Sequence, residues 1–170
     1  MRDKRTPLAP FALSLAILVL DQATKALVMA RIRPGMIGIR ALGDVLWIVR
    51  QQNLGMAFSL LDSLGGTARV VSLVALPLVL VAAVLVFYFK SREITAFQRW
   101  ALCGIVGGGL GNVIDRMLRP EGVVDFVSVK FYGLLGFERW PTFNVADASV
   151  VVCAVLLVVS TVAADARRGK

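Results

Sequence analysis

Two aspartates of this chain stand in apolar surroundings. Asp125 lies in residues 123–132, an alternating apolar stretch typical of a β-strand, and Asp147 lies near the start of a long apolar run. A carboxylate on an apolar strand face should have a raised pKa, a partner, or both. If the two aspartates meet, they share a proton. Such a pair can activate water and hydrolyse an amide without a metal or a nucleophilic side chain.

Other candidate site residues accompany the two aspartates at similar depths. They are Asp21, Lys25, Asn53, Gly55, Gly108, Asn112, Arg116 and Asn144. A charge inside a membrane span costs roughly 2.5–3.5 kcal/mol on insertion scales, so function is its default explanation. The polar residues gather toward one side of the apolar segments, which predicts a common site.

Each of these residues also has a structural interpretation. Asp21 and Lys25 are spaced i, i+4 and can neutralise each other on one helix face. Arg116 with Asp115 can form a snorkelling pair at a membrane interface. Two further alternatives concern single residues: Asn53 as a turn residue, and Asp147 as the acid at the third position of a helix capped by Asn144.

The elements that must position these residues are long apolar segments. The chain has 170 residues, 58% of them hydrophobic, with a mean hydropathy of +0.77. About 20 mainly apolar residues span a bilayer, and four segments approach this length: 8–30, 70–89, 100–118 and 145–164. We therefore predict a single membrane domain of the all-α class, with four transmembrane helices and a small outer β-sheet between spans one and two.

Charge placement predicts the orientation in the membrane. The net charge is +8, and basic residues cluster at the amino end, in the link between spans two and three, and in the tail. Short basic loops stay in the cytoplasm, so both termini are expected inside, and residues 31–69 and 119–143 outside. This distribution argues against a nucleic-acid partner.

The residue inventory excludes several chemistries. The chain has no histidine, which excludes catalysis that depends on a serine–histidine pair and most zinc sites. Cys103 and Cys153 lie in apolar spans and are expected to be small buried hydrophobes, and we expect neither a metal nor a cofactor. The pairs Gly104/Gly108 and Gly107/Gly111 predict close helix packing rather than a phosphate-binding loop, because no strand–loop–helix context surrounds them.

Five motifs together resemble the lipoprotein signal peptidases (signal peptidase II) and cover the chain from the first span to the last. In order they are Asp-Gln-Ala-Thr-Lys at 21–25, Asn-Leu-Gly-Met-Ala-Phe at 53–58, Gly-Gly-Leu-Gly-Asn-Val-Ile-Asp-Arg at 108–116, Val-Asp-Phe at 124–126 and Phe-Asn-Val-Ala-Asp at 143–147.

The resemblance implies an aspartic endopeptidase of the bacterial inner membrane. It would remove the signal peptide from prolipoproteins by cutting before the cysteine that carries a diacylglyceryl group. Asp125 and Asp147 would be the catalytic pair. Asn53, Asn112, Arg116 and Asn144 would line the site, with Asp21 and Lys25 as support. The implied partners are lipid-modified prolipoproteins, membrane lipids and inhibitors of the globomycin type, and we expect a monomer.

Two departures and two rival functions accompany this hypothesis. Met56 stands where a smaller residue is expected, and residues 133–139 form a longer stretch than usual before the last span. A small proton-coupled carrier would use Asp21, Lys25, Asp115 and Arg116 as an ion path. A scaffold protein held by the glycine face of span three would tolerate loss of both aspartates.

Overall fold

Four helices correspond to the four apolar segments. The computed structural model describes residues 7–54, 66–91 and 93–168. The helices are α1 (Phe11–Arg31), α2 (Gly66–Lys90), α3 (Ala96–Leu118) and α4 (Val145–Arg168). Thr95 caps α3 through a reciprocal pair of hydrogen bonds with Gln98, the arrangement that satisfies free N–H groups at a helix start.

Three of these helices contain segments long and apolar enough to cross a membrane: Phe11–Arg31, Leu73–Lys90 and Val145–Ala164. Helix α3 does not meet the same measure, because glycines and the polar residues Asn112, Asp115 and Arg116 lower its hydropathy. The protein is therefore mostly helical with three candidate spans, and the fourth span stays a prediction.

Helix α3 contacts each of the other three helices. Its glycines make this possible. A Cβ on Gly107 would lie 2.7 Å from the backbone oxygen of Ser14 in α1, and one on Gly108 would lie 2.5 Å from that of Ala146 in α4. The prediction that this glycine face serves helix packing is confirmed. Cys103 and Cys153 are both buried free thiols, as expected.

A three-stranded antiparallel sheet accompanies the helices, in the order β1 (Ile37–Ala41), β2 (Leu46–Asn53), β3 (Val123–Val129). The prediction that the sheet lies between the first two spans alone is wrong in one respect: β3 comes from the segment after α3. It joins the sheet by pairing with β2, with Asp125 opposite Gln51. The backbone N–H and C=O groups of the mostly buried residues 123–129 need hydrogen-bond partners, and β2 supplies them.

One face of the sheet packs on the end of α1. Val28 of α1 and Ile32, which directly follows α1, form a buried cluster with Val124 and Phe126 of β3, and Ile48 of β2 packs against it. Burial of these side chains holds β3 against the helices. Asp125 lies between two members of this cluster and is thereby brought to the helix ends.

Candidate active site

Asp125 is almost completely buried, with 1% of its surface exposed. Both of its carboxylate oxygens accept a hydrogen bond from a side-chain amide: Asn53 Nδ2 donates to Oδ2 at 3.0 Å, and Asn144 Nδ2 donates to Oδ1 at 2.7 Å. Asn53 is the last residue of β2, and Asn144 directly precedes α4. Two predicted site residues from distant parts of the chain therefore meet at Asp125.

Asp147 lies in the first turn of α4. Its backbone N–H donates to Asn144 Oδ1 at 2.9 Å, and its Oδ2 accepts from the Asn144 N–H at 3.2 Å, which is the reciprocal capping arrangement. Asn112 Nδ2 of α3 donates to Asp147 Oδ1 at 2.7 Å. The helix-capping interpretation of Asn144 and Asp147 is thus correct, and the half-buried carboxylate is in addition held by α3.

Asn144 joins the surroundings of the two aspartates. Its amide nitrogen donates to Asp125, its amide oxygen caps the Asp147 N–H, and the nitrogen also lies 3.1 Å from Asn112 Oδ1. Asn144 itself has no exposed surface. One buried carboxamide thereby links β3, α3 and α4, and it brings Asp125 and Asp147 into one hydrogen-bonded network.

Burial raises the pKa of Asp125 to about 6, and the negative charge of Asp147 acts in the same direction. The hydrogen bonds from Asn53 and Asn144 and the charge of Lys25 lower this pKa, but they do not offset burial. The expectation of a raised pKa together with partners is confirmed. A carboxyl group that gains and loses a proton near neutrality, beside a second carboxylate, is suited to acid–base chemistry.

A second cluster of charges is connected to the aspartates through Asn112. Lys25 Nζ is 2.8 Å from Asp21 Oδ2 and 2.9 Å from Asp115 Oδ2, and all three side chains are fully buried. Lys25 also donates to Asn112 Oδ1 at 3.1 Å, which orients the Asn112 amide toward Asp147. The predicted Asp21–Lys25 pair is confirmed, although it is part of a larger network.

Asp115 is the residue that the sequence did not identify as part of the site. The structural alternative of an Asp115–Arg116 pair is not the arrangement found, since Asp115 pairs with Lys25 and with Arg119. Its Oδ2 also accepts from the Val124 N–H at 3.2 Å, next to Asp125. The signal that could have revealed it was its own carboxylate within an apolar segment, because a buried carboxylate needs a cation or hydrogen-bond donors from elsewhere in the chain.

The remaining predicted residues have different positions. Gly108 lies at a close contact between α3 and α4, one turn before Asn112. Arg116 is half-buried and donates a long hydrogen bond of 3.4 Å to the backbone oxygen of Asn112. It also interacts electrostatically with Asp147 and Asp125. Gly55 and the departure at Met56 lie outside the described residues.

Gly122 is a further residue that sequence reasoning missed. Its φ of +89° is unfavourable for other residues, and a Cβ there would lie 2.5 Å from the backbone oxygen of Asn53. Glycine at this position therefore allows the turn before β3 to approach the end of β2. It helps to bring Asn53 to Asp125.

Two pockets open on either side of Asn53. The larger, of about 700 Å³, includes Asp125 and is called here the sheet cleft; its lining is Gly35, Ile37, Trp47, Val49, Arg50, Gln51, Gln52, Asn53, Asp125, Ser128, Arg139, Trp140, Pro141 and Thr142. The other, of about 390 Å³, is bordered by Asn53, Leu54, Leu73, Val74 and the end of α3 from Arg116 onward. Within the described part of the chain, no group of three or more metal-ligating side chains occurs.

The residues 133–139 fold back on the sheet. Leu134–Gly136 form a short 3-10 turn, preceded by Gly133 at a φ of 77°. Arg139 then donates to Ser128 Oγ at 2.9 Å and to the backbone oxygens of Asp44 and Val45, at the turn between β1 and β2. This longer stretch is therefore attached to the sheet, and its last residue, Arg139, lines the sheet cleft.

Comparisons with known proteins agree with the motif resemblance. A family model described as signal peptidase (SPase) II matches residues 13–163. The lipoprotein signal peptidase of Treponema pallidum (strain Nichols) is 46% identical over 159 residues, which are 94% of this chain and 84% of that protein. That of Treponema denticola is 46% identical over 162 residues, which are 95% of this chain and 93% of that protein.

The fold has counterparts among solved structures. A chain described as a bacterial membrane enzyme, studied by the in meso method, matches with a TM-score of 0.78 at 24% identity. The match covers 95% of this chain and 97% of the other. At this identity the likeness concerns the fold alone. Because the family model covers most of the chain and relatives share nearly half of its residues, the chain belongs to the signal peptidase II family.

Proposed function

We propose that this protein is an aspartic endopeptidase of the bacterial cytoplasmic membrane. Its substrates would be diacylglyceryl-modified prolipoproteins, and it would cut before the lipidated cysteine. Family membership supports a peptidase, and the names of the Treponema relatives support lipoprotein substrates. The observation that carries the aspartic mechanism is the Asn144 side chain, which contacts Asp125 and the backbone of Asp147 at once.

In this mechanism the two aspartates share one proton. Burial and the negative charge of Asp147 favour the protonated form of Asp125. The amino end of α4 and the Asn112 amide stabilise negative charge on Asp147. Asp147 then takes a proton from a water molecule, whose oxygen attacks the scissile carbonyl while Asp125 gives its proton to the carbonyl oxygen. As the tetrahedral intermediate collapses and the C–N bond breaks, Asp147 gives its proton to the leaving amine and Asp125 takes one back from a hydroxyl of the intermediate, which restores the starting state of the pair.

The other site residues would act by positioning. Asn53, Asn112 and Asn144 hold the carboxylates through the hydrogen bonds described above. Arg116 borders the apolar pocket beside Asn53, where its guanidinium can donate to the substrate backbone. Asp21, Lys25 and Asp115 keep α1, α3 and β3 in register beneath the pair.

The membrane setting agrees with this chemistry. The acyl chains of the modified cysteine and the apolar signal peptide remain in the bilayer, so the scissile bond lies at its boundary. Both termini would be cytoplasmic, with the sheet and the aspartates near the outer face. We further infer four membrane spans, in which α3 is tolerated despite its polar residues because the other three helices surround it.

Incubation of the purified protein with a diacylglyceryl-modified precursor tests the proposal. Wild type should release the signal peptide, and globomycin should block the reaction. Asp125→Asn and Asp147→Asn should each lower kcat by at least about 1,000-fold while the protein stays folded, because each removes a proton-transfer group. Glu121→Gln, at an exposed acid in the turn before β3, is the matched control. Turnover by either aspartate variant near the wild-type rate would rule out the mechanism.

A further inference from the structure

We propose that the sheet cleft binds the polypeptide segment that follows the lipid-modified cysteine, and that it favours an acidic over a basic side chain at the third or fourth residue after that cysteine. The inference rests on the proposed function, since it adds a subsite to the same reaction. Its basis is the geometry and charge of the cleft beyond Asp125.

The floor of the cleft is β2. Trp47 and the consecutive residues 49–53 line the cleft, and a register irregularity between Ile48 and Gln51 interrupts the regular alternation of side chains there. Ile48 packs against the buried residues at the end of α1 and on β3. The floor therefore offers a strand-shaped surface that begins beside Asp125.

The wall of the cleft is residues 139–142. Thr142 Oγ1 donates to Gln51 Oε1 at 3.0 Å, and the Trp140 N–H donates to the Val129 oxygen at 2.9 Å. Arg139 stacks on Trp47 with its guanidinium carbon 3.6 Å from the ring centroid. These contacts hold the wall on the sheet, so the cleft is preformed. Polar and aromatic lining of this kind suits a polypeptide, which offers both amide groups and side chains.

Two cations line the cleft, and neither has a carboxylate partner in the part of the chain that the structure describes. Arg139 donates to uncharged oxygens, on Ser128, Asp44 and Val45. Arg50 donates to the backbone oxygens of Met29 and Ile32 at the end of α1, and its buried Nε has no hydrogen-bond partner within the described ranges. Among the described residues neither guanidinium forms an ion pair, and the one acid in the lining is Asp125. Arg139 and Arg50 thus bring positive charge to the lining of the cleft, while the nearby Asp44 carboxylate is bound by Trp47 and Lys130.

The distance along the cleft from Asp125 to Arg139 indicates which substrate residue would contact Arg139. Ser128, which holds Arg139, follows Asp125 by three residues on β3. At about 3.3 Å per residue this is roughly 10 Å, the length of three residues of an extended chain. With the scissile bond at Asp125, the signal peptide and the acyl chains extend toward the membrane. The polypeptide after the cysteine leaves through water, and its third or fourth residue reaches Arg139.

Matched lipidated substrates test the inference on the wild-type protein. Aspartate and lysine are compared at the third and fourth positions after the cysteine, in precursors that are otherwise identical. Because a partly exposed charge pair has a modest effect, kcat/KM should be about 2- to 5-fold higher for aspartate at low salt. The difference should shrink at 0.5 M NaCl through screening. Equal values at low salt would overturn the charge preference.

Two variants and one control locate the effect. Arg139→Met keeps an apolar contact with Trp47 but removes the charge, and it should abolish the aspartate preference. Thr142→Trp fills the cleft and should reduce the advantage of a precursor extended by eight residues over one that ends directly after the cysteine. Lys130→Gln removes a cation of the sheet outside the cleft lining and should retain both preferences.

The outcomes separate the two proposals. A preference that persists in Arg139→Met, or extended and short precursors cleaved with equal kcat/KM by wild type, refutes the subsite while the peptidase proposal stands. Failure of wild type to cleave any lipidated precursor refutes the peptidase proposal, and the subsite falls with it.

Discussion

Opposing influences act on Asp125. Its burial disfavours the charged carboxylate, whereas two amide hydrogen bonds and the charge of Lys25 favour it. The result is a pKa of about 6, which allows this side chain to exchange a proton near neutral pH. Asn53 and Asn144 therefore do more than hold the Asp125 side chain in place, because their hydrogen bonds also influence how readily Asp125 ionises.

The pH dependence of activity should reflect this balance. The protonated form of Asp125 is lost as the pH rises through about 6, so kcat/KM should fall above this pH, approaching about tenfold per pH unit. The pH at which kcat/KM falls is a property of the coupled pair of aspartates and not of Asp125 alone. Asn53→Ala removes a hydrogen bond that favours the ionised form, and it should shift the falling limb to higher pH. Rate profiles of both proteins measure this; a limb that stays in place or moves to lower pH contradicts it.

A second prediction at the same scale concerns Asp115. Its removal leaves the buried Lys25 with fewer compensating charges, and loss of one partner from a buried ion pair costs about 3–5 kcal/mol. Asp115→Asn should therefore lower the thermal unfolding temperature in detergent strongly. Glu138→Gln removes an exposed partner of Lys130, at 3.9 Å, and should change stability by less than about 1 kcal/mol. Similar melting curves for the two variants would show that the buried network is not stabilising.

Among the elements, α3 controls how closely α4 approaches. Gly108 has the backbone of Ala146 directly opposite, and Ala146 lies between Asn144 and Asp147. A larger residue at Gly108 must move the start of α4, which carries two of the proposed site residues. At Gly109, by contrast, the described atom that a Cβ would meet is the side-chain tip of Val81 in α2.

These two adjacent glycines form a matched pair for an experiment. Gly108→Ala should reduce kcat by about tenfold or more, because a displacement of about an ångström at reacting groups is costly. Gly109→Ala should retain most activity, since the Val81 side chain can change rotamer. Cleavage of a lipidated precursor gives the rates, and circular dichroism verifies that both variants fold. An equal loss in both variants would mean that helix α4 does not depend on this contact.

The whole molecule combines a helical bundle with a sheet at one of its ends. The sheet, the aspartates and the Lys25 network occupy the end where α1 and α3 finish and α4 begins. The opposite end holds the turn between α2 and α3, where the Arg99 side chain contacts Tyr88 and donates to its backbone oxygen. Basic residues near that turn favour its retention in the cytoplasm.

Labelling by a membrane-impermeant maleimide should test this orientation. Cys103 and Cys153 are buried and can be replaced by alanine. On that background Leu42→Cys, at a position that is 75% exposed on the sheet, should react in intact cells whose outer membrane is permeabilised. Glu93→Cys, near the turn between α2 and α3, should react only after the inner membrane is disrupted. The reverse pattern would invert the proposed topology.

The amino-acid sequence by itself determined the parts that depend on local patterns. Long apolar runs predicted the four helices, alternation predicted a strand around Asp125, and paired glycines predicted close packing of α3. The types and order of the polar residues were enough to nominate Asp125 and Asp147 as a pair. Each of these features is a property of neighbouring residues, so periodicity and composition reveal it.

Only the tertiary structure decided which distant residues meet. It joined β3 to β2, assigned Asp115 to Lys25 instead of Arg116, and made Asn144 the link between the surroundings of the two aspartates. These contacts join residues that are up to 125 positions apart, as between Asp21 and the Ala146 N–H. They arise because buried charges and N–H groups must find partners among all elements that pack together, a condition that no local pattern expresses.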